Sequence, residues 1–446
     1  GGSVATFGFQ KFWYASVSAY LKAEASLTIG VNIPFALDLP TIKIYDKNFE
    51  PIGPEYFRTY AVNTGSSPTQ PLPSGSTTTT VATTTTIAAP ATTTTVAPRI
   101  GARYLSLGNQ HSCLTTTQGT VKCWGRSTPP NAGIWTPFDL TPNVVQTASG
   151  ETHACILLTT GTVKCVGSNN AHGQLGNGST LSSSAPTEVV GLTGVSQIVA
   201  YHDNTCALLG SGSVKCWGEN SYGQLGDGTT IDRSVPTQVT GLTSGVVQIS
   251  TSIDNSCAVL SSGVVKCWGR NRFGQIGDGT TTDRYTPTQV TGLSLGATQV
   301  TAEGSYACAV LTNGSVSCWG YNSLGNLGDG TTTNRYTPTQ VLGLTSGVSQ
   351  VIARSYTACA LLTTGSVKCW GYNNNGQIGD GTATDRYTPT QVSGLTSGVE
   401  RISVGGFFAC SLLSTGTVKC WGDNSFGKLG DGSTTDRYAP VDVLGL

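Results

Sequence analysis

Apolar residues in the second part of this chain fall in short runs, separated by turns rich in Gly, Thr, Ser and Asp. The runs return in a fixed order. One unit holds Val246-Val-Gln-Ile249, then Cys257-Ala-Val-Leu260, then Val264-Val-Lys-Cys267-Trp268-Gly269, then Pro287-Thr-Gln-Val290. Runs of this length, rich in β-branched residues and bounded by Gly-containing turns, predict four strands per unit. A different pattern precedes the repeats. From Ala15 to Ile33 every odd position is apolar, while Ser16, Ser18, Lys22, Glu24, Thr28 and Asn32 stand among the even ones. Period-2 alternation predicts strand, with a further short strand at Ile42-Lys-Ile-Tyr45. The cluster Phe7-Gly-Phe-Gln-Lys-Phe-Trp-Tyr14 lies just before it. A long alternating strand in so small a segment leaves an edge that seeks a partner. Residues 1–62 are therefore expected either to fold as a small β-domain or to self-associate and anchor by strand addition.

The repeats carry all 14 cysteines. First cysteines stand at Cys113, Cys155, Cys206, Cys257, Cys308, Cys359 and Cys410. Second cysteines stand at Cys123, Cys165, Cys216, Cys267, Cys318, Cys369 and Cys420. Between each pair lies a short Gly-containing turn, such as Thr363-Thr-Gly-Ser366, so each unit holds a β-hairpin with its cysteines opposite one another. Opposed Cα atoms in a non-hydrogen-bonded pair lie about 4.5 Å apart, within reach of a disulfide. Seven within-hairpin disulfides are expected, each adding at most about 3 kcal/mol. Buried free thiols are the alternative. A zinc reading fits poorly, because such sites favour closer cysteines and more ligands. No cofactor and no metal are expected.

Residues 63–101 are Thr- and Pro-rich, with runs at Thr77–Thr80, Thr83–Thr86 and Thr92–Thr95. Such a segment buries no core. At about 3.1 Å per residue it spans on the order of 100 Å, and its composition is that of a bare linker or an O-glycosylated stalk. Lys+Arg and Asp+Glu are 24 each, so the formal charge is zero, which argues against nucleic acid as the partner. There is no Met, and the chain begins Gly1-Gly2-Ser3, which reads as a processed or truncated product. No apolar run reaches transmembrane length. Regular paired cysteines point to an oxidising, extracellular or cell-surface setting.

A period of about 50 residues with four short strands predicts a β-propeller. The pattern Cys-Trp-Gly-x-Asn-x-x-Gly-Gln-Leu-Gly-Asp-Gly-Thr, as in Cys216–Thr229, resembles the RCC1 (regulator of chromosome condensation) repeat family, here in its secreted bacterial form. The resemblance covers residues 102–446 and implies a seven-bladed propeller. The expected fold class is all-β: this propeller, preceded by a small β-rich N-terminal segment and the Thr-rich linker. Unit one departs from the pattern, with Arg126-Ser-Thr-Pro-Pro-Asn131 in place of the Gly-Gln-Leu-Gly-Asp-Gly loop, and unit two has Val166 in place of Trp. Trp124, Trp217, Trp268, Trp319, Trp370 and Trp421 are expected to wedge between blades. The pairs Asp232-Arg233, Asp283-Arg284, Asp385-Arg386 and Asp436-Arg437 are expected to bridge turns or neighbouring blades. Asp278-Gly-Thr-Thr-Thr-Asp283 lacks the spacing of a calcium loop and reads as a turn. The last strand, from Pro440, is expected to complete blade one and close the ring.

One segment does not repeat: the residues just before each first cysteine. Tyr201, His202, Asp203, Ile253, Asp254, Glu303, Tyr306, Arg354, Tyr356, Phe407 and Phe408 are the candidate binding residues, and His111 and His153 fall in the same loops. Aromatic and charged residues on adjacent loops suit a protein- or glycan-binding face; unconstrained loop drift is the alternative. No nucleophile elbow, P-loop or metal motif appears, and no enzyme activity is expected. The expected function is an extracellular or cell-surface interaction protein. Its N-terminal segment would anchor or polymerise, in the manner of a surface filament, and its propeller would serve as an adhesion head. A secreted monomeric binding protein or enzyme inhibitor is the alternative. Nucleotide exchange on a GTPase, the role of the family's namesake, is more remote.

Overall fold

The computed structural model describes residues 104–126 and 143–446. The expectations for residues 1–62 and for the linker 63–101 lie outside the described residues, as does all but Arg126 of the stretch that replaces the unit-one loop. The described part is a seven-bladed β-propeller of consecutive antiparallel sheets. Blade four shows the plan. Its strands run Val246–Thr251, Asn255–Leu260, Val265–Gly269 and Arg284–Gln289, each paired with the next in sequence. A bulge between Val246 and Gln248 leaves Val247 unpaired in the first strand and faces it to solvent.

The first strands form the inner ring: Tyr104–Leu107, Val144–Ser149, Val195–Tyr201, Val246–Thr251, Ala297–Ala302, Val348–Arg354 and Val399–Val404. Each packs on the next, and the last packs on the first. The Gln of Val-x-Gln-Ile explains part of this contact. Gln248 accepts from Val300 N at 2.9 Å and donates to Val300 O at 3.0 Å, so its amide extends the backbone ladder to the neighbouring blade. Gln146, Gln197 and Gln350 do the same.

All seven disulfides form as expected, between residues directly opposite in each hairpin, with Cα atoms 4.0–4.1 Å apart. The sulfurs lie in the cores between blades, and no described cysteine is free. The tryptophans are the expected wedges. Trp268, fully buried, donates its Nε1–H to Gln224 O of the preceding blade at 2.9 Å. Trp217, Trp319, Trp370 and Trp421 reach Gln174, Gln275, Asn326 and Gln377 in the same way. Contact is so close that a Cβ on Gly226 would lie 2.6 Å from Trp268 Nε1, which is why the loop needs Gly there.

This geometry makes the two departures in the repeat a single one. Each Trp rests on the Gly-Gln-Leu-Gly loop of the blade before it. Blade one has no such loop in its sequence, and blade two is the blade with Val166 in place of Trp.

One expectation needs correction. The last strand, Arg437–Asp442, does not complete blade one; it pairs with Val418–Gly422 of its own blade. Among the described residues each blade takes its strands from one continuous stretch, and closure combines one backbone bond, Gly406 N to Gly108 O at 3.3 Å, with side chains. Trp124 donates to Lys428 O at 3.0 Å, Ser112 Oγ donates to the same carbonyl, and the Arg401 guanidinium stacks 4.7 Å from the centre of the Tyr104 ring. Leu107, Leu114 and Trp124 share a core with Phe408, Leu412 and Leu429. The described part of blade one has three strands. The Asp-Arg pairs bridge turns, as expected, and Asp232 also reaches the neighbouring blade, 2.7 Å from His172 Nδ1, although the two members do not pair with each other. Arg284 binds Asp278, six residues back, at 2.6 Å, while Asp283 accepts from Asn271 N at 2.7 Å. Both ties fasten one loop within one blade, and Asp227–Arg233, Asp329–Arg335, Asp380–Arg386 and Asp431–Arg437 repeat the ion pair.

Candidate functional site

The loops joining first and second strands emerge together around the inner ring, on one face. Their backbone is strained where the repeat is least regular. His202, Ser355, Tyr356 and Phe407 have φ of 45°, 47°, 66° and 61°, a left-handed conformation that costs non-Gly residues about 1–2 kcal/mol each.

Of the candidate residues, His202, Ile253, Asp254, Arg354, Tyr356 and Phe407 reach the surface at least in part. Tyr356 and Phe407 are the most open, at 38% and 39% exposed. Tyr306 and Phe408 do not belong to a binding surface: both are fully buried. The second strand already begins at each of them, and the pleat turns that position inward. Tyr306 Oη donates to Thr357 O at 2.8 Å. His111 and His153 occupy the same inward position, and burial pushes each imidazole down to about 4. Tyr201, Asp203 and Glu303 are also buried, and shape the floor of the face. Burial pushes the Glu303 carboxyl above its usual range, although Ser305 donates to it from both N and Oγ.

Arg354 crosses the axis. It comes from blade six, stacks 4.0 Å from the centre of the Tyr201 ring in blade three, and donates through Nη1 to Leu107 O in blade one. Around it the face divides in two. Over blades two and three, the Glu151, Asp203 and Glu219 carboxylates gather on His202. Over blades four to seven, aromatic rings form an arc. Phe273 and Tyr321 lie 5.1 Å apart between ring centres, Tyr321 and Tyr356 lie 5.6 Å apart, and Tyr372 and Phe407 lie 5.9 Å apart. Between the two regions Asp254 holds Arg270 at 2.8 Å, and Arg270 stacks on Tyr222 at 4.4 Å.

Sequence reasoning missed Glu219, Arg270, Tyr321 and Tyr372. All stand at the variable position after Trp-Gly, which reads Arg126, Ser168, Glu219, Arg270, Tyr321, Tyr372 and Asp423 along the units. The comparison of units that exposed the loops would have exposed this position too.

Seven disulfide-bonded blades, six of them wedged by Trp, with one face of unrepeated side chains, define a repeat propeller with a single variable face. The family model described as the RCC1-like domain matches residues 72–351, more than half of the chain, and models of the RCC1 repeat match residues 364–412 and 399–428. The chain belongs to the RCC1-like propeller family. It is 30% identical over 278 residues to the ultraviolet-B receptor UVR8 of Arabidopsis thaliana, covering 61% of this chain and 63% of that protein. It is 31% identical over 206 residues to the probable E3 ubiquitin-protein ligase HERC4 of Homo sapiens, covering 45% of this chain and 19% of that protein. The chain thus spans less than two thirds of either relative. Among solved structures, human WBSCR16 superposes with a TM-score of 0.63 at 24% identity, covering 70% of this chain and 84% of that one. Yeast RCC1 (Prp20), solved with Kap60, superposes with a TM-score of 0.60 at 18% identity, covering 68% and 75%. Both show the fold. Among the described residues no helix is long and apolar enough to cross a membrane.

Proposed function

We propose that this chain is a protein-binding platform whose working surface is the face of first-to-second-strand loops. The observation that carries the reading is the aromatic arc through Phe273, Tyr321 and Tyr356, continued by Tyr372 and Phe407, on an otherwise repeating scaffold. Aromatic rings beside Arg and Asp, partly exposed on a rigid base, supply contact area at low ordering cost. The strained backbone at Tyr356 and Phe407 supports the same reading, since it holds two rings out of the core at an energetic cost. Relatives point the same way: one is a receptor by name, and yeast RCC1 is described in a complex with Kap60.

The finer reading is a cell-surface or secreted protein. Seven disulfides suit an oxidising compartment. The Thr-rich residues 63–101 suit a spacer, and residues 1–62 suit an anchoring or self-associating segment, with the propeller as the displayed head. The test is photo-crosslinking on the native protein in its own environment. A benzophenone side chain at Tyr356 or Phe407 is expected to capture a protein partner; one at Thr364, in the turn between second and third strands, is not. Capture from Thr364 alone, or equal capture from all three, overturns the assignment of the face. Light scattering of the full chain against a chain starting at Gly101 tests the assembly role. Assembly that persists without residues 1–62 removes it.

A further inference from the structure

Across most of the variable face, charges are paired with a permanent opposite. In blade four Asp254 holds Arg270, and in blade seven Asp423 holds Lys428 at 2.7 Å. Blade three differs. The position of Asp254 is Asp203 and that of Arg270 is Glu219, while blade two contributes Glu151. Three carboxylates therefore gather on one imidazole, and among the described residues no Lys or Arg pairs with any of them.

The donor atoms are arranged as a coordination set. His202 Nε2 lies 2.6 Å from Glu151 Oε2, so this carboxylate faces the ring's far nitrogen, and a metal on Nδ1 would replace the proton that the neighbouring carboxylates favour there. His202 Nδ1 is sealed from solvent and has no aligned hydrogen-bond partner. It lies 3.0 Å from Asp203 Oδ2 and 3.9 Å from Glu219 Oε2, and these three atoms all fall within 4.8 Å of one another. Ligand atoms at about 2.0–2.1 Å from a tetrahedral zinc lie about 3.3 Å apart, so small side-chain shifts bring the three onto one ion. The supports are also present. Gln174 Nε2 donates to Asp203 Oδ1 at 2.8 Å, Ser221 Oγ donates to Glu219 Oε1, and the Asp203 side chain is nine-tenths buried. A carboxylate that orients a ligating imidazole through its far nitrogen is the usual outer shell of a zinc site.

We propose that His202 Nδ1, Asp203 Oδ2 and Glu219 Oε2 bind a divalent zinc-class ion, with Glu151 orienting His202. An imidazole among three donors favours zinc and its neighbours over magnesium or calcium, which prefer all-oxygen shells. Three protein ligands would leave the fourth tetrahedral position to water. The proposal stands apart from the protein-binding reading, because its test uses the metal alone.

The test is calorimetric titration of zinc into the full-length, untagged, disulfide-bonded protein after chelator stripping. One zinc per chain is expected. Asp203→Asn and Glu219→Gln should each weaken binding at least about tenfold, and Glu151→Gln by about 10–100-fold, while Asp254→Asn should leave it unchanged. Glu219 is partly exposed, so its variant should keep the wild-type melting temperature and isolate the ligand effect. Cobalt substitution should give the intense visible bands of a tetrahedral site, absent in Glu219→Gln. No stoichiometric uptake, an equal loss in Asp254→Asn, or displacement of zinc by equimolar calcium overturns the proposal.

Discussion

The wedges differ in one atom-level respect, and that difference fixes a measurable energy. Trp268 and Trp319 are both buried, and each donates one hydrogen bond of 2.9 Å to a carbonyl of the preceding blade. The Gln224 carbonyl under Trp268 also accepts from Ser256 Oγ at 2.9 Å. At the equivalent position beside Trp319 stands Ala307, so the Gln275 carbonyl has the indole as its one side-chain donor. Changing either Trp to Phe removes the same volume and the same N–H, so the packing loss is common to both. Trp319→Phe in addition strands a buried carbonyl, which costs about 1–3 kcal/mol, whereas in Trp268→Phe the serine still satisfies it. Trp319→Phe should therefore be less stable than Trp268→Phe by about 1–2 kcal/mol. Equilibrium urea unfolding followed by far-UV circular dichroism reads the difference, provided the slopes agree. Ser256→Ala in the Trp268→Phe background should close the gap. Equal stability of the two single variants, or no effect of adding Ser256→Ala, refutes the reasoning.

Reductant alone should leave the seven disulfides intact in the native protein, since the sulfurs are buried, and intact mass should gain seven pairs of hydrogens only in denaturant; a thiol that titrates in native material contradicts this. Gly226→Ala and Gly241→Ala place a side chain at nearly the same φ, +71° and +70°, but only the first drives a Cβ against Trp268. Gly241→Ala should cost about 1–2 kcal/mol and Gly226→Ala clearly more, by thermal melting. His111 is buried and neutral, its pKa pushed by burial down to about 4 from 6.5. The unfolded chain takes up this proton first, so the contribution of neutral His111 is complete above pH 6.5 and is lost as pH falls towards 4. His111→Phe should flatten the fall in stability across that window; an unchanged slope places the titration elsewhere.

Much of the fold was legible because the repeat states the same physics seven times. Equal spacing of Cys257 and Cys267 about a Gly turn leaves little freedom in the hairpin, and the register obeyed it. Strand exchange at closure was not legible, because Pro440-Val-Asp-Val443 looks the same whether it pairs with its own blade or with another. The Asp-Arg pairs were legible as bridges, but adjacency in sequence hid the tie from Arg284 back to Asp278. In the site, loop variability marked the right face but not the direction of each side chain. Tyr306 and Phe408 sit one residue past their loops, where the second strand begins and its pleat faces the core. The position after Trp-Gly went unread because a constant motif surrounds it, although Tyr321 and Arg270 carry as much of the face as the loops do.

At the joint between blades seven and one, Lys428 replaces the repeating Gln. Its ammonium is buried, binds Asp423, and donates to Gly406 O and, across the joint, to Asn109 O. Arg401 likewise replaces the clamp glutamine and meets Tyr104 in place of a backbone edge. Were every joint interchangeable, the end of one molecule would accept the start of another as readily as its own, and rings of other sizes or open chains would compete. The Lys428 and Arg401 contacts in place of the repeating glutamines give the two ends of the ring a mutual signature that the glutamine-clamped internal joints do not carry, which favours self-closure over joining a second molecule.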